Sequence, residues 1–248
     1  MPMRALVTGA GRGIGRAVAE HLSGRGYRVA LTARNEDELH KAAAACAGET
    51  LVVPADITSA VDQVFDRVEA AWGGVDVLVA NAGAGSSAPV HRITDEDWSR
   101  MLELNLTAPF RCVRRAVPGM VAAGHGRIVV IASVAAKRGD PYVAAYTASK
   151  HGVLGLVRSA AAELAGAGVT VNAVCPGYVD TPMTDTTVAE VAAKTGRDPA
   201  RVRATLAAKQ PVGRLVSPAE VADAVWFCVG NGAVTGQGVD VSGGAVQS

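Results

Sequence analysis

Arg4-Ala5-Leu6-Val7-Thr8 runs directly into Gly9-Ala10-Gly11-Arg12-Gly13-Ile14-Gly15, and a helical pattern from Ile14 to Gly24 follows at once. A short apolar run reads as a buried strand, and the glycines allow a turn whose dihedrals and close backbone approach other residues forbid. Backbone N–H groups gathered at such a turn, ahead of a helix N-terminus, suit a phosphate. The spacing is T-G-x-x-x-G-x-G. Ile14 and Arg16 stand where a G-x-G-x-x-G string would need its third glycine, and no Gly-Lys-Ser/Thr ending marks a triphosphate loop. Alone the turn is ordinary structural chemistry; between a first strand and a first helix it decides the reading.

Outward from this unit the rhythm repeats. Strand candidates are Arg4 to Thr8, Arg28 to Ala33, Leu51 to Val53, Val75 to Ala80, Arg127 to Ala132, Val169 to Val174 and Gly238 to Val241. Between them lie helical stretches Ile14 to Gly24, Glu36 to Ala47, Ala60 to Ala71, Asp95 to Ala123, Ala144 to Ala165 and Pro218 to Val229. Asp95 and Ser217 read as N-caps, the latter with Pro218 in the first helical position. Alternation of this kind demands crossover connections, hence an α/β fold: a Rossmann-type, doubly wound parallel sheet of about seven strands with helices on both faces. Residues 1–248 read as a single domain, without linker or repeat. From Asp180 to Arg214 no strand appears, and that long insertion predicts a lid. Within it Met183, Val188 and Val191 suggest an apolar wall; Arg197, Arg201 and Arg203 read either as a solvated face or as an attraction for a carrier phosphate.

Composition sets the limits. The 248 residues are 49% hydrophobic and only 4% aromatic, with a formal net charge of +1. Ala- and Val-rich apolar content suits close helix-on-sheet packing, and the balanced charge predicts no nucleic-acid or membrane partner. Cys46, Cys112, Cys175 and Cys228 lie far apart and the five histidines lack ligand spacing, so neither a disulfide framework nor a metal site is expected. With no signal-peptide pattern and no apolar run of spanning length, the expected setting is cytoplasmic.

The second strand ends at Ala33-Arg34. Folds of this kind that bind NAD place an acid there for the ribose 2′-OH. A cation instead, with Arg12 in the glycine turn, favours the 2′-phosphate of NADP(H). Asp56-Ile57 after the third strand is placed for an adenine amine, and the small residues of Asn81-Ala82-Gly83 after the fourth let backbone approach a ligand.

Tyr146-Thr147-Ala148-Ser149-Lys150 opens a helix, and i, i+4 spacing puts the phenol and the ammonium on one face. A nearby ammonium draws a phenol down toward neutrality, which makes it a general acid/base. Ser133, just past the fifth strand, returns to the same sheet edge, where its hydroxyl can bond a substrate oxygen while Tyr146 transfers the proton.

These motifs, with Asn105 in Leu104-Asn105-Leu106 and Pro176-Gly177 followed by Thr181, give the whole chain a resemblance to the short-chain dehydrogenases/reductases. The resemblance implies Tyr146 as proton donor or acceptor and Ser133 as the group positioning the carbonyl. It implies Lys150 as the tyrosine's modulator and ribose ligand, and Asn105 as support for a water-linked proton relay. It also implies a nicotinamide wall of Pro176, Gly177, Val179 and Thr181, with Thr181 on the carboxamide, and a homotetramer built through the long helices. The family often reads Asn-Asn-Ala-Gly where this chain has Ala80-Asn81-Ala82-Gly83, which predicts one backbone brace fewer. Within the family, the segments Tyr146 to Gly152, Val171 to Tyr178 and Pro211 to Arg214 are similar to those of bacterial ketoacyl and polyketide ketoreductases. The expected activity is therefore NADP(H)-linked interconversion of a ketone and a secondary alcohol, on a small ketoacyl, polyketide or cyclic substrate, free or carried on CoA or acyl carrier protein. The same residues serve a 3-hydroxyacyl or secondary-alcohol dehydrogenase running oxidatively, NAD included. A cofactor-sensing binder without turnover has no need of the proton donor, and a sugar epimerase lacks chain after the seventh strand for its substrate domain.

Overall fold

In the computed structural model, which describes residues 2–247, β1 (Arg4–Thr8), β2 (Arg28–Ala33), β3 (Thr50–Pro54), β4 (Val77–Ala80), β5 (Gly126–Ile131), β6 (Val169–Pro176) and β7 (Gly238–Val241) form one sheet. Its order is β3-β2-β1-β4-β5-β6-β7 and every pair is parallel. The order reverses between β1 and β4, so their carboxyl ends open a crevice at the switch point where α/β sheets bind ligands. Parallel strands covered on both faces need continuous apolar runs. β6 is buried along its whole length, and its one amide, Asn172, is satisfied by the Val234 carbonyl (2.8 Å) and the Gln237 N–H (3.1 Å).

Two cores flank the sheet. On one face α1 (Gly13–Ser23), α2 (Glu36–Ala44) and α9 (Pro218–Gly230) bury Val18, Leu22, Leu39 and Val225 against Val7, Leu31 and Val129. On the other, α3 (Val61–Trp72), α5 (Ala108–Ala123) and α6 (Ala144–Leu164) bury Phe65, Val113 and Val153 against Leu6, Leu78 and Ile128. Each such large side chain removed from water contributes about 1.5–3 kcal/mol. Arg4 locks the opening edge: its guanidinium donates to Asp76 at 2.8 and 2.6 Å and to the Trp72 carbonyl at 3.1 Å. Val75 and Asp76 thereby lie ahead of β4 rather than within it.

The expected helix from Asp95 to Ala123 is three pieces: α4 (Asp95–Leu102), a wide π-helical turn over Glu103–Thr107, and α5. The Ala108 N–H bonds the Glu103 carbonyl, five residues back instead of four. Pro109 explains the break, since it has no N–H to give the Asn105 carbonyl its regular i+4 partner. The N-cap of α4 is Thr94, whose hydroxyl accepts from the Asp97 N–H at 3.1 Å, and not Asp95, which is the first helical residue. Ser217 caps α9 as expected, in a reciprocal capping box with Glu220.

The insertion holds α7 (Pro182–Thr195) and α8 (Pro199–Ala208). Val188, Val202 and Leu206 form a small core of their own, with Tyr178, Val191 and Leu215 against it. The apolar wall expected of Val188 and Val191 is therefore spent on joining the two helices; Met183 is exposed. Arg203 is no free phosphate ligand either, because it pairs with both Asp180 and Asp185.

Candidate active site

The glycine turn is built from below. Pairing of β1 with β4 sets Thr8 beside the end of β4, where its hydroxyl accepts the N–H groups of Asn81 and Ala82, both at 3.0 Å. The Asn81 side chain donates to the carbonyls of Thr8 (2.9 Å) and Gly9 (3.1 Å). The Asn81 side chain thus braces the turn, while its backbone stays at the carboxyl end of β4 beside Ala82 and Gly83. Gly9 and Gly13 have φ of 64° and 55°, in the left-handed region that favours glycine. A Cβ on Gly15 would lie 2.2 Å from the Gly9 carbonyl oxygen, so this third glycine closes the helix onto the turn. Ile14 packs on the core beneath.

Arg34 is exposed past β2 beside the capped N-terminus of α2. Its charge helps to hold the Asp56 carboxyl below its usual range, after the larger effect of hydrogen bonds from the Thr58 N–H and hydroxyl. Asp56 thus closes its own turn, and the Ile57 side chain is buried in the core. Arg12 is exposed too, with the carboxylate of Glu38 3.7 Å away.

At the other end Pro176 closes β6, and Gly177, Tyr178, Val179 and Asp180 lead to Thr181, which begins α7. A Cβ on Gly13 would meet the Thr181 methyl at 3.2 Å, so this loop and the glycine turn face each other across the crevice. Val179 is buried and bridges to Val216; its carbonyl, which accepts from Thr184 Oγ1 at 2.6 Å, is its polar contribution.

Ser133, Tyr146, Lys150 and Asn105 converge between these ends. The Ser133 hydroxyl, which accepts the Ala135 N–H at 3.1 Å, is close enough to the Tyr146 phenol to lower its pKa. The Cys175 thiol lies near Ser133, and burial pushes it up to about 11, so it stays neutral. Lys150 Nζ lies 5.7 Å from the centre of the Tyr146 ring and donates to the Ile131 carbonyl at 2.8 Å. The wide turn projects Asn105 into the interior, where its amide exchanges bonds with Ala84 N–H (3.1 Å) and C=O (2.9 Å). Gly83 spans Asn105 and Lys150: a Cβ there would lie 2.9 Å from Asn105 Oδ1 and 3.6 Å from Lys150 Nζ.

The electrostatics differ from expectation. Burial raises the Tyr146 phenol, and the nearby Ser133 hydroxyl offsets only part of that effect. Burial also lowers the Lys150 ammonium, to about 8. Tyr146 is consequently a neutral phenol at neutral pH, a proton donor in its resting form.

The residues fit a dinucleotide on three counts: a braced glycine cradle at the switch point, exposed cations at one end, and a second loop facing the cradle at the other. Among the described residues no cluster of acids, histidines and cysteines could hold a metal ion, and no helix is long and apolar enough to cross a membrane.

Comparison with known proteins agrees with the geometry. The family model described as short chain dehydrogenase matches residues 3–192. The chain is 42% identical to the cis-4-hydroxycyclohexanecarboxylate dehydrogenase of Sinomonas cyclohexanicum, over 97% of this chain and 95% of that one. It is 36% identical to a 3-oxoacyl-acyl-carrier-protein reductase of Escherichia coli, over 97% and 96%. A variant of the actinorhodin polyketide ketoreductase, solved with NADPH, superimposes with a TM-score of 0.94 at 38% identity, over 98% of this chain and 97% of that one.

Proposed function

The chain belongs to the short-chain dehydrogenase/reductase family of oxidoreductases, and we propose that within it this protein is an NADP(H)-dependent ketoreductase. The observation that carries the proposal is the convergence of the Ser133 hydroxyl and a neutral Tyr146 phenol, with Lys150 Nζ 5.7 Å from the centre of the Tyr146 ring. Two hydroxyls placed together can hold one carbonyl oxygen, Ser133 by orienting it and Tyr146 by giving it a proton. Lys150 would stabilise the phenolate left behind and hold the nicotinamide ribose. Asn105 anchors the end of a water-linked route that returns the proton. The bound dinucleotide supplies the hydride. Gly9, Arg12, Gly13, Ile14, Gly15, Arg34, Asp56, Ile57, Ala82 and Gly83 would seat its adenosine and diphosphate, with Asn81 as support, while Pro176, Gly177, Val179 and Thr181 would wall the nicotinamide.

A protonated phenol is ready to give its proton to a carbonyl oxygen, and the same group as phenolate takes one from an alcohol in the reverse direction. Arg34 with no acid at Ala33 favours the phosphorylated cofactor. The substrate class follows the relatives: a ketoacyl, polyketide or cyclic ketone, free or carried on CoA or acyl carrier protein, for which Arg197 and Arg201 on the insertion are the available cations. Exposed Phe110 and Val121 on α5 support assembly into a homotetramer through that helix, and four unpaired cysteines suit the cytoplasm. Initial rates of NADPH and NADH oxidation across β-ketoacyl thioesters, cyclic ketones and acyclic ketones test the reading; turnover with NADH alone, or with none of these, overturns it. Because a relative is named as a dehydrogenase, the same assay run with secondary alcohols and NADP or NAD tests the oxidative direction.

A further inference from the structure

Gln210 lies just past α8, where no proposed catalytic role reaches, yet it is 1% exposed and its amide is fully engaged. Its Oε1 accepts the Tyr178 N–H at 2.8 Å, and its Nε2 donates to the carbonyls of Tyr178 (3.2 Å) and Arg214 (2.6 Å). Gly177 lies directly against it: a Cβ there would stand 2.1 Å from Gln210 Oε1 and 3.2 Å from the Ser242 Cα. The strands of chain on either side are zipped in the same place, with Val216 N–H on the Tyr178 carbonyl (2.9 Å) and Asp180 N–H on the Val216 carbonyl (2.8 Å). The two-helix insertion therefore leaves and re-enters the fold through one stem, and Gln210 rivets that stem to the loop after β6.

We propose that Gln210 is a positioning residue for the nicotinamide side of the crevice: through Tyr178 and Gly177 it makes the placement of the Pro176–Thr181 loop depend on the seating of the insertion. The inference rests on reading that loop as the nicotinamide wall. A buried site that must both accept an N–H and donate to two carbonyls needs a carboxamide, and water cannot enter to replace it. Loss of the amide leaves the Tyr178 peptide held by the Val216 N–H alone, and the placement of Thr181 against Gly13, three residues on, loosens with it. The adenosine end, built on β1, β2 and β4, lies outside this linkage.

The test compares whole-cofactor and half-cofactor binding in Gln210→Met, which keeps the length and removes the amide, and in Gln210→Glu, which keeps the acceptor and removes the donors. Kd for NADPH, read by nicotinamide fluorescence, is expected to rise about tenfold in Gln210→Met, the effect of one or two lost buried hydrogen bonds, while Kd for 2′,5′-ADP by calorimetry stays within about twofold. Hydrogen exchange should quicken at Tyr178 and Val216 and stay unchanged in β1 and β4. In Gln210→Glu, the NADPH affinity relative to the unsubstituted protein should recover as pH falls from about 8 to about 6, because a protonated buried carboxyl regains a donor. Equal weakening of NADPH and 2′,5′-ADP, or no weakening of either, overturns the proposal, and if Gln210→Met does not fold, Gln210→Glu decides alone. If the unsubstituted protein binds NADH and not NADPH, the NADP reading fails, and the same comparison made with NADH and AMP still decides the role of Gln210.

Discussion

Lys150 donates from α6 to the Ile131 carbonyl at the end of β5, 2.8 Å away and two residues before Ser133. One hydrogen bond thus sets the helix that carries Tyr146 in register with the strand that delivers Ser133. It also buries an ammonium, lowered to about 8, without a carboxylate beside it.

That burial has two measurable signs. Below about pH 8 Lys150 is charged, so kcat/KM for the dinucleotide is expected to fall as pH rises through about 8; a profile flat to about pH 10 rejects the assignment. Between the folded value near 8 and the ordinary 10.5 the unfolded chain binds the extra proton, so this group makes the fold more stable as pH rises across that window. Lys150→Met should accordingly abolish turnover yet stabilise the fold at neutral pH by about 1–2 kcal/mol in urea denaturation, after the lost Ile131 bond is offset.

Tyr146→Phe removes the proton donor and leaves the ring in place. Turnover should drop by a factor of about 100 or more, with NADPH affinity changed by less than about threefold. Activity near the starting level would remove the phenol from the chemistry.

Arg34→Asp reverses the charge at the end of β2. NADPH binding should weaken by a factor of about 10 or more, the loss of a charge-assisted contact, while NADH binding holds or tightens. An unchanged ratio of the two dissociation constants would place the 2′-phosphate elsewhere.

Gly15→Ala puts a methyl 2.2 Å from a backbone oxygen and 2.5 Å from the Asn81 amide, a clash no side-chain rotation relieves. A cost of about 1–3 kcal/mol and loss of dinucleotide binding are expected. Gly155→Ala is the control: nothing lies within 4 Å of its Cβ position in α6, and helix propensity predicts a neutral or stabilising change.

Asp76→Ala breaks the clamp on Arg4 and should cost about 2–3 kcal/mol, seen as a lower urea midpoint. The hydrogen bonds from Arg4 outweigh burial and hold the Asp76 carboxyl below its ordinary range. Its contribution is therefore whole above the ordinary carboxylate pKa and fades as pH falls below it. The variant's deficit should shrink in acid by the same measure.

Local chemistry was legible in the sequence. The β1 boundaries, the turn at Gly9 to Gly15 and the Ser217 cap follow from glycine freedom, apolar runs and capping, all decided within a few residues. The meeting of Ser133 with Tyr146 was legible too, because a crossover returns the chain to the same sheet edge. What escaped depends on partners far along the chain. Asn81 turns toward Thr8 and Gly9 only because β4 pairs with β1, and Val188 is drawn inward by Val202 and Leu206. The direction of the Tyr146 shift reflects burial, which no i, i+4 spacing reveals. The break at Glu103–Thr107 left one visible mark, a proline four residues after an asparagine, and went unread inside a long apolar pattern.

That break has a consequence for insertions and deletions. A π turn carries one residue more than a regular helix needs, so deleting one position between 103 and 107 removes that surplus while Pro109 still withholds its N–H from the turn before it. The amide now held at Ala84 would swing aside by about 100°, the angle per residue of an α-helix. The surplus residue is what aims Asn105 at Ala84, so the length of this helix matters to the site as much as the identity of that side chain.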